Sequence, residues 1–455
     1  MPIKPAVSKL SATSADILNA IRNSASANYQ QFVPEASTDL ESIREIGAII
    51  MVDPNLQNEF LHSLVNRIGR VMITSKMFSN PWSMFKKGML DFGETIEEIF
   101  VELAKPFQFD PAVAESEVFK REIPDVRAAF HILNYQKFYK DTVSRDQLRQ
   151  AFLSMDGITD LVTKIINSMY ASANYDEFNV MKYLIAKHII NGNFNPVTVP
   201  EATDANAKRI ASTIKGLSND YEFMSDKYNK ARVHNYTLKD NQYLIINSKF
   251  DAVMDIEVLA GAFHMDNAQF AGHRVMVDSF GNLDQTRLAE LFKDDSTYTT
   301  FTSAELEALD AIPAVIVDRD WFMIVDNLQE FTELQNPQGL YWNYWLHVWK
   351  TFSVSPFANA SVLVPGTPAI TSVTVSPSAV TASAGQSVQL SAEVVTTNFA
   401  SKVVNWTSSD ADIATVDVFG NVLINPDADA EDEVTITATS AVDSTKSDSA
   451  TITVA

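Results

Sequence analysis

The sequence predicts an α+β body over residues 1–360 followed by an all-β sandwich over residues 370–455. Helix-like and strand-like spacings of apolar residues both occur in the body, whereas the tail shows only the strand period of two. Four of the six tryptophans lie between Trp321 and Ala360, and only three aromatic residues follow Gly366. Because each aromatic ring can bury about 150 to 250 Å², the body needs a large core or subunit interface that the tail does not need.

The composition excludes several classes of protein. With 35 basic against 57 acidic residues, the net charge is −22, which argues against a general basic surface for nucleic acid. The absence of cysteine excludes disulfides, thiolate nucleophiles and thiolate metal ligands. The N-terminal segment lacks the apolar stretch of a secretory signal, and the apolar run Ile46–Val52 is far shorter than the ~20 residues that span a bilayer. We expect a soluble protein made in the cytoplasm.

Two long helices are predicted in the first half of the body. Asp53 and Pro54 make a favourable helix start, since aspartate caps a helix and proline suits its first position. An apolar face follows and is expected to end at Gly69. A second pattern, with apolar residues three and four apart, predicts one long helix over residues 158–192, broken or kinked near Ser172–Tyr175.

Residues 71–110, between these helices, have a different pattern. Turn signals occur near Pro81 and Gly88, and the flanking residues favour strands. Glu97 and Glu98 are adjacent, so in a strand they point to opposite faces. The segment is predicted to form an extended two-stranded ribbon. Because such a ribbon is not stable by itself, we expect it to lie against another part of the structure or against another copy of the chain.

Lys86 and Lys87 form a compact basic feature in this ribbon. One interpretation is a solvated turn. The other is a basic tip that meets acidic residues of an adjacent subunit, such as Glu97 and Glu98, or a phosphate backbone. An exposed ion pair contributes little alone, so repetition over many copies would have to supply the effect. The sequence therefore suggests Lys86, Lys87, Glu97 and Glu98 as candidate inter-subunit contacts.

The aromatic block from Trp321 to Ala360 is predicted to form strands with apolar residues on both faces. Alternate side chains point to opposite sides of a strand, so Trp342 and Trp345 fall on different faces. Both faces should then be covered. The helix predicted over residues 158–192 is the candidate cover for one face, and the subunit or its neighbour would cover the other. The predicted core tryptophans of the body are Trp321, Trp342, Trp345 and Trp349.

A linker is predicted at residues 361–369, where Pro365, Gly366 and Pro368 interrupt the pattern. Short strands with alternating apolar residues follow, separated by turns at intervals that suit a small antiparallel sandwich. Their motifs occur in the order VTVSP, VNWTSSD and IATVDVFGNV. The tail thus resembles the group 2 bacterial immunoglobulin-like domains, with Trp406 as a core residue.

The sequence contains no recognisable catalytic constellation. The patterns GxSxG, GxxxxGK[ST], GxGxxG and HExxH are absent, and the seven histidines lack metal-ligand spacing. The acidic run Asp427–Glu433 lacks the glycine and terminal glutamate of a calcium-binding loop, so a solvated loop is favoured there. Asp318 and Asp320 flank Arg319, and this group favours a hairpin turn over a cation site. No catalytic residue, cofactor or metal is predicted.

Several long stretches of the body carry a family resemblance. They are ILNAIRN (17–23), LVNRIGRVMI (64–73), FKKG (85–88), TIEEIF (95–100), EVFKREIPDVRAAFH (117–131), DRDWFMIVDNL (318–328) and NPQGLYWNYWLHVWKTFSVSPFANA (336–360). Without gaps, these stretches resemble the major capsid proteins of phi-29-type small tailed bacteriophages, the Picovirinae-like podoviruses. That family also carries a group 2 immunoglobulin-like domain at its C-terminus, in the same order as here.

The resemblance implies the Hong Kong 97-type phage capsid fold, with an N-terminal arm, an extended loop, a peripheral domain and an axial domain. The predicted ribbon at residues 71–110 takes the role of the extended loop, and the helix at 158–192 that of the spine. The axial domain would occupy residues 193–315. The aromatic strands then return to the peripheral domain, and the immunoglobulin-like domain follows at 370–455.

The function implied is that of a non-enzymatic major capsid protein, which self-assembles into the icosahedral or prolate head shell around double-stranded DNA. Its implied partners are many copies of itself, a scaffolding protein during assembly, the portal or connector, a head fibre protein and the packaged DNA, which it contacts non-specifically. It would be made in the host bacterial cytoplasm and would reside in the virion. The alternative is a bacterial surface or adhesion protein whose immunoglobulin-like domain binds carbohydrate, which the missing signal and anchor disfavour.

Overall fold

The computed structural model describes residues 13–71, 78–90, 95–109, 121–146, 157–255 and 273–455. Residues 72–77, 91–94 and 110 of the predicted extended loop lie outside the described residues. So do residues 1–12, where the predicted N-terminal arm begins, and residues 256–272 of the predicted axial domain. The α-helices are α1 (Ser14–Ser24), α2 (Ala27–Phe32), α3 (Leu40–Val52), α4 (Pro54–Val71), α5 (Gly157–Ile190), α6 (Ala207–Asp220), α7 (Ser248–Met254), α8 (Gln285–Leu291) and α9 (Ser303–Asp310).

Local sequence accounts for several helix ends. Thr13 and Asp16 form a capping box at the start of α1, in which each side chain accepts from the other residue's backbone N–H. The predicted start of α4 at Pro54 is confirmed, and the helix runs two residues past the predicted end at Gly69. These N-terminal helices contribute Ile21, Ile43 and other buried apolar residues to the main core.

The long helix α5 spans 34 residues, close to its predicted range. The predicted break near Ser172–Tyr175 is wrong, because α5 continues through these residues. Tertiary contacts satisfy the polar groups that interrupt the apolar pattern: the Asn174 amide donates to the Phe78 carbonyl at 3.0 Å, and the guanidinium of Arg287 pairs with Asp176. Polar residues in the middle of this helix are therefore contacts with neighbouring elements.

The strands follow the chain in short segments separated by turns and helices. They are β1 (Lys86–Met89), β2 (Ile96–Val101), β3 (Val126–His131), β4 (Tyr135–Ser144), β5 (Asn195–Val199), β6 (Gln242–Asn247), β7 (His273–Val277), β8 (Ala314–Asp318), β9 (Phe322–Asn336), β10 (Tyr341–Val354), β11 (Ala360–Pro365), β12 (Ala369–Ser376), β13 (Ala379–Ala382), β14 (Ser387–Gln389), β15 (Ser391–Thr397), β16 (Val404–Ser408), β17 (Ala414–Val416), β18 (Asn421–Ile424), β19 (Glu433–Ser440) and β20 (Ser447–Val454).

A four-stranded sheet in the order β1-β9-β10-β4 packs against α5. Its centre is the long antiparallel hairpin of β9 and β10, whose register runs from Tyr341 opposite Asn336 to Val354 opposite Phe322. Alternate residues of β10 from Trp342 to Lys350 are buried, and those between them are half-buried. The prediction that the long helix covers one face of the aromatic strands is confirmed, since Lys350 on the buried face reaches Glu177 of α5.

A five-stranded sheet in the order β5-β11-β8-β6-β7 forms the second layer of the body. Every residue of β6 and of β8 is buried, as expected for strands covered on both faces. Helices α6 and α7 pack on one face, and side chains of the other face join the main core. Strand β11 lies between β5 and β8, so the predicted linker at 361–369 is wrong over residues 361–365. Only residues 366–368 separate β11 from β12.

The C-terminal domain is the all-β sandwich that the sequence predicts. Its described strands form sheets β12-β15, β13-β20-β19-β16 and β14-β18-β17 around a separate apolar core. A contact joins it to the body at the end of α5, where the Lys402 backbone N–H donates to the Gly192 carbonyl at 3.2 Å. Gly192 has φ +67°, and a Cβ there would lie 2.7 Å from the Ala400 carbonyl oxygen. Only glycine fits this approach.

Candidate inter-subunit surface

The described ribbon of the body consists of β2 and β3, which pair antiparallel from Ile96 opposite His131 to Val101 opposite Val126. This pairing differs from the predicted one. The prediction joined the two halves of residues 71–110 to each other, but β1 pairs in parallel with β9 instead. The reason is that the first half is anchored in the core: Trp82 and Phe85 are buried against Phe322.

One face of the ribbon is fastened to the subunit's own body. Phe100 stacks on Phe357 with ring centroids 5.6 Å apart. Glu102 Oε1 lies 2.8 Å from His234 Nδ1, and Arg127 donates to the carbonyl of Ala231. Aromatic and charged contacts therefore fix the ribbon's inward face.

The base of the ribbon is held by a second group of polar contacts. Glu98 accepts from the Ser355 hydroxyl at 2.7 Å and lies 3.3 Å from His131 Nε2. The other ring nitrogen of His131, Nδ1, is 2.7 Å from Ser353 Oγ. Glu98, a predicted inter-subunit contact, thus points to the inward face and has partners within its own chain.

The opposite face of the ribbon is apolar and uncovered. Ile99 is 59% exposed and Phe130 is 64% exposed. Glu97 is exposed on the same face, directly opposite Phe130 in the register. As predicted, Glu97 and Glu98 point in opposite directions. The large apolar side chains exposed on the two strands and the segments that continue them are Ile99, Val101, Leu103, Phe107, Phe109, Ile123, Val126, Phe130 and Ile132.

Such a concentration of exposed apolar residues is unusual for a protein surface and marks an interaction site. Its sequence signal is the alternation in EEIFVEL, where Ile99, Val101 and Leu103 share one face with Glu97. The sequence reasoning considered the two glutamates and missed this stripe. It also missed β3 as the pairing partner, because the segment between the strands gives no hairpin signal.

The two predicted basic contacts lie within the subunit, which corrects the expectation of an exposed basic tip. Lys86 Nζ is 3.2 Å from Glu177 Oε2 and 2.5 Å from Asp326 Oδ2. Lys87 forms an ion pair with Asp320. The parallel pairing of β1 with β9 brings both lysines to carboxylates of their own chain.

Lys86 belongs to a buried ion network, which also contains Lys350, Glu177 and Asp326. Burial opposes ionisation of Asp326, but the charges and hydrogen bonds of Lys350 and Lys86 outweigh it and lower the pKa of this carboxyl. Burial likewise opposes protonation of Lys86, and Glu177 and Asp326 outweigh it and raise the pKa of this ammonium. The network ties β1, β9 and β10 to α5.

The predicted core tryptophans of the body occupy two environments. Trp321 is buried with its ring 5.0 Å from that of Phe194, and Trp342 is buried with its Nε1 donating to Asn58 at 3.1 Å. Trp345 and Trp349 lie on the other face of β10 and are half-buried. Lys140 lies over the Trp345 ring, 5.6 Å from its centroid.

Trp406, the predicted core tryptophan of the sandwich, is half-buried and packs against the apolar core of that domain. Its ring lies close to Gly420, where an added Cβ would be 3.0 Å from the ring. Gly420 has φ +82°, so the turn and the ring contact both require glycine there.

Neither of the two acidic groups considered from the sequence, Asp318 with Asp320 and the run Asp427–Glu433, forms a metal site in the described structure. Asp318 caps the short turn after β8 by accepting from the Asp320 backbone N–H at 2.8 Å. In the loop before β19, Asp429 is exposed and Asp432 is half-buried. Across the ranges that the structure describes, no group of three or more histidine or acidic residues could hold a metal ion. Within those same ranges, no helix has the length and apolar character needed to cross a membrane.

Comparison with known proteins identifies both parts of the chain. The model of the Phi29-like phage major capsid protein family matches residues 18–364, and that of the bacterial Ig-like domain (group 2) matches residues 369–454. The major capsid protein of Bacillus phage PZA is 35% identical over 433 residues, which cover 94% of this chain and 90% of that protein. The major capsid protein of Bacillus phage B103 is 36% identical over 439 residues, with the same coverage of 94% and 90%.

The fold is also similar to a solved capsid. The capsid structure of Staphylococcus phage Andhra superposes with a TM-score of 0.51 at 16% sequence identity, over 64% of this chain and 86% of that one. The helical and stranded body has the Hong Kong 97-type phage capsid fold, followed by an immunoglobulin-like domain. With a family match over most of its length, the chain belongs to the Phi29-like phage major capsid protein family and is a structural, non-enzymatic subunit of a phage head.

Proposed function

We propose that the apolar outward face of the β2–β3 ribbon docks on a neighbouring copy of the chain, and that repetition of this contact builds the closed shell around the phage's double-stranded DNA. The observation that carries this proposal is the exposure of Ile99, Val101, Val126 and Phe130 on one face of a ribbon whose other face is already fastened. The subunit leaves this face without a cover of its own among the described residues.

The energetics suit a shell that assembles from many weak contacts. Burying one large apolar side chain contributes about 2 kcal/mol of binding free energy. The loss of translational, rotational and side-chain freedom on association offsets part of this gain. A contact between unlike surfaces can close into a shell when the rotation between copies closes. Each ribbon contact would then be modest enough to correct during assembly, while the full shell gains from repetition.

Within this surface, Glu97 is the predicted inter-subunit residue that remains available. It is exposed on the outward face, and it is not engaged like Lys86, Lys87 and Glu98, which have partners in their own chain. We assign it a contact with a basic residue of the neighbour. Such a pair at an exposed rim would set orientation more than affinity.

The parts of the body take the roles that the family resemblance implies. The ribbon of β2 and β3 acts as the extended loop, although β3 lies beyond the predicted range of residues 71–110. Helix α5 acts as the spine, and the five-stranded sheet belongs to the axial domain. The group 2 immunoglobulin-like domain, joined by residues 366–368, would project from the shell.

The acidic chain, with a net charge of −22, would enclose DNA without gripping it, since strong phosphate binding requires many basic contacts. Packaging and ejection both need the genome to slide. The further partners in this proposal are a scaffolding protein during assembly, the portal or connector, and a head fibre protein. Synthesis would take place in the cytoplasm of the host bacterium.

The test is to make the outward face polar without touching the inward face. The double variant Ile99→Ser with Phe130→Ser changes two exposed side chains, so the subunit should melt close to the wild type. Shell yield, measured by sedimentation and electron microscopy after expression with and without a scaffolding protein of this family, should fall at least tenfold.

The matched control is Val418→Ser with Phe419→Ser in the C-terminal domain, which also replaces two exposed apolar side chains. This variant should assemble normally. Shells at wild-type yield from the ribbon variant, in the same expression trial, would refute the proposed docking surface while leaving the family assignment intact.

A further inference from the structure

A cavity of about 350 Å³ lies where the base of the ribbon meets the end of α5. Its walls come from β3, from the last turns of α5, from the end of β10 and the residues after it, and from the segment around Lys230. The apolar part of the wall includes Leu184, Trp321 and Phe352, whereas His131, His188 and Lys230 contribute polar groups. The cavity thus joins elements that are far apart in the sequence.

His188 presents a hydrogen-bond donor in this cavity. Its Nδ1 accepts from the Asn193 side-chain amide at 3.0 Å, so the ring proton lies on Nε2. The Trp321 ring packs edge-on against the imidazole at 5.7 Å. Burial, and after it the charges of Lys230 and Lys187, lower the pKa of His188 to about 4. The imidazole is therefore neutral near pH 7, and its Nε2–H has no partner within the described chain.

Lys230 lies at the rim of the same cavity, where it is exposed and has no ion-pair partner among the described residues. No carboxylate of the described residues lies within ion-pair distance of its ammonium, although the chain carries 57 acidic residues. Desolvation lowers the pKa of Lys230. Among the ribbon's carboxylates, Glu98 is the one close to the cavity wall, and it is already shared by His131 and Ser355.

His131, the third polar group of the wall, already has a hydrogen-bond partner for each ring nitrogen. Its ring nitrogens meet Ser353 Oγ at 2.7 Å and Glu98 at 3.3 Å. The open donors are therefore those of Lys230 and His188, and they face a cavity with several apolar walls. Charge interactions are stronger where protein replaces water, so a negatively charged oxygen would be favoured between these two donors.

We propose that this cavity is a binding site for an oxyanion, held by the Lys230 ammonium and the His188 Nε2–H. The bound group is either a free phosphate-like anion or a carboxylate side chain from a neighbouring copy, and the second source rests on the assembly proposed above. Either one links the segment around Lys230 to the end of α5. Because Arg127 of the ribbon donates to the carbonyl of Ala231, the residue after Lys230, this link also affects how firmly the ribbon is held.

Tungstate is a suitable probe because it is a compact oxyanion with strong scattering. Shells of the full-length protein are imaged by cryo-electron microscopy in chloride buffer, with and without tungstate. Added tungstate should produce density within hydrogen-bond distance, about 3 Å, of Lys230 Nζ and His188 Nε2. A carboxylate of a neighbouring chain at that position without any added anion would identify the second source instead.

Lys230→Gln removes the charge, and Lys227→Gln removes an exposed lysine of the same segment that does not line the cavity. Tungstate density should vanish in the first variant and persist in the second. If shells of Lys230→Gln do not form, melting temperatures of the unassembled full-length chains give the same comparison. Tungstate should raise the melting temperature of wild type and of Lys227→Gln but not that of Lys230→Gln. Density that survives Lys230→Gln would be an adventitious ion, and this result, or a cavity empty under both conditions, would overturn the proposal.

Discussion

The hairpin of β9 and β10 and the ribbon of β2 and β3 are both antiparallel strand pairs, but the rest of the subunit covers their faces to different extents. The hairpin buries Trp342, Tyr344, Leu346 and Val348 beneath α5 and anchors Lys350 in an ion network. The ribbon fastens one face to the body and exposes an apolar stripe on the other. The difference shows that two paired strands become core or interface according to what covers their second face. In this subunit, the hairpin contacts stabilise the core, and the apolar stripe of the ribbon is the surface proposed above for assembly.

The largest effect on subunit stability is expected from comparing a buried aromatic ring of the core with an exposed aromatic ring of the ribbon. Trp82 is fully buried, with its ring 5.2 Å from Phe178, whereas Phe107 beyond β2 is 68% exposed. Trp82→Ala should lower the free energy of unfolding of the unassembled subunit by about 4 kcal/mol. Phe107→Ala should lower it by less than about 0.5 kcal/mol. Urea unfolding followed by circular dichroism measures both, and equal losses would contradict the contrast.

The buried ion network should give the next largest effect. Glu177→Gln leaves Lys86 and Lys350 with Asp326 as their remaining carboxylate in the described network. Breaking a buried ion pair typically costs about 3 kcal/mol, so the melting temperature should fall clearly. The exposed Glu201 provides the matched control, because Glu201→Gln should leave the melting temperature unchanged. A small effect of Glu177→Gln would mean that water reaches the network.

The same network predicts an acid dependence. Because the pKa of Asp326 is lowered in the folded subunit, its contribution is present above the ordinary aspartate pKa and is lost as the pH falls through the lowered value. Unfolding curves of wild type and Asp326→Asn between pH 7 and pH 3 should therefore converge on acidification. Curves that stay parallel over this range would argue against an ionised Asp326.

A smaller effect is expected where the two domains meet. Gly192→Ala places a methyl group 2.7 Å from the Ala400 carbonyl oxygen at a left-handed backbone position, and it should cost about 1 to 2 kcal/mol. Gly216→Ala in α6 is the control: its Cβ meets nothing within 4 Å, and it should stabilise the helix slightly. Limited proteolysis between residues 365 and 369 should accelerate only in Gly192→Ala. Protection in both variants would show that the domain contact tolerates the change.

Trp345 should give the smallest effect on the subunit. It is half-buried beneath Lys140 on the open face of the hairpin, so Trp345→Ala should cost about 1 kcal/mol, well below the 3 to 5 kcal/mol of a fully buried ring. If the shell covers this face, heat resistance of assembled particles should drop more than that of the subunit. Differential scanning calorimetry of both forms tests this, and a loss above about 3 kcal/mol in the subunit would place Trp345 in the core.

Much of the fold follows from residue patterns. The α+β body, the long helix near residues 158–192 and the all-β tail were all indicated by apolar spacing and composition. The resemblance supplied the family, which the comparisons confirm. These features are local or repeated, so a single sequence contains their signal.

The missed features depend on contacts distant in sequence. Pairing of β2 with β3 depends on which strands meet in space, and Lys86 is half-buried beside acidic partners because β1 joins β9 far along the chain. Most of the strand Ala360–Pro365 was predicted as linker because Pro365 and the following Gly366 are residue types that usually end a strand or helix. The cavity at the ribbon base could not be predicted for the same reason, since His188 and Lys230 come to line it only after folding.

The position of β11 has a consequence for synthesis. This strand fills the gap between β5 and β8, yet it is the last piece of the body to leave the ribosome. Until residue 365 has emerged, β5 has no partner among the described strands and β8 has an open edge. A prematurely terminated chain without β11 therefore lacks a continuous five-stranded sheet. The C-terminal domain emerges only after this closure is possible.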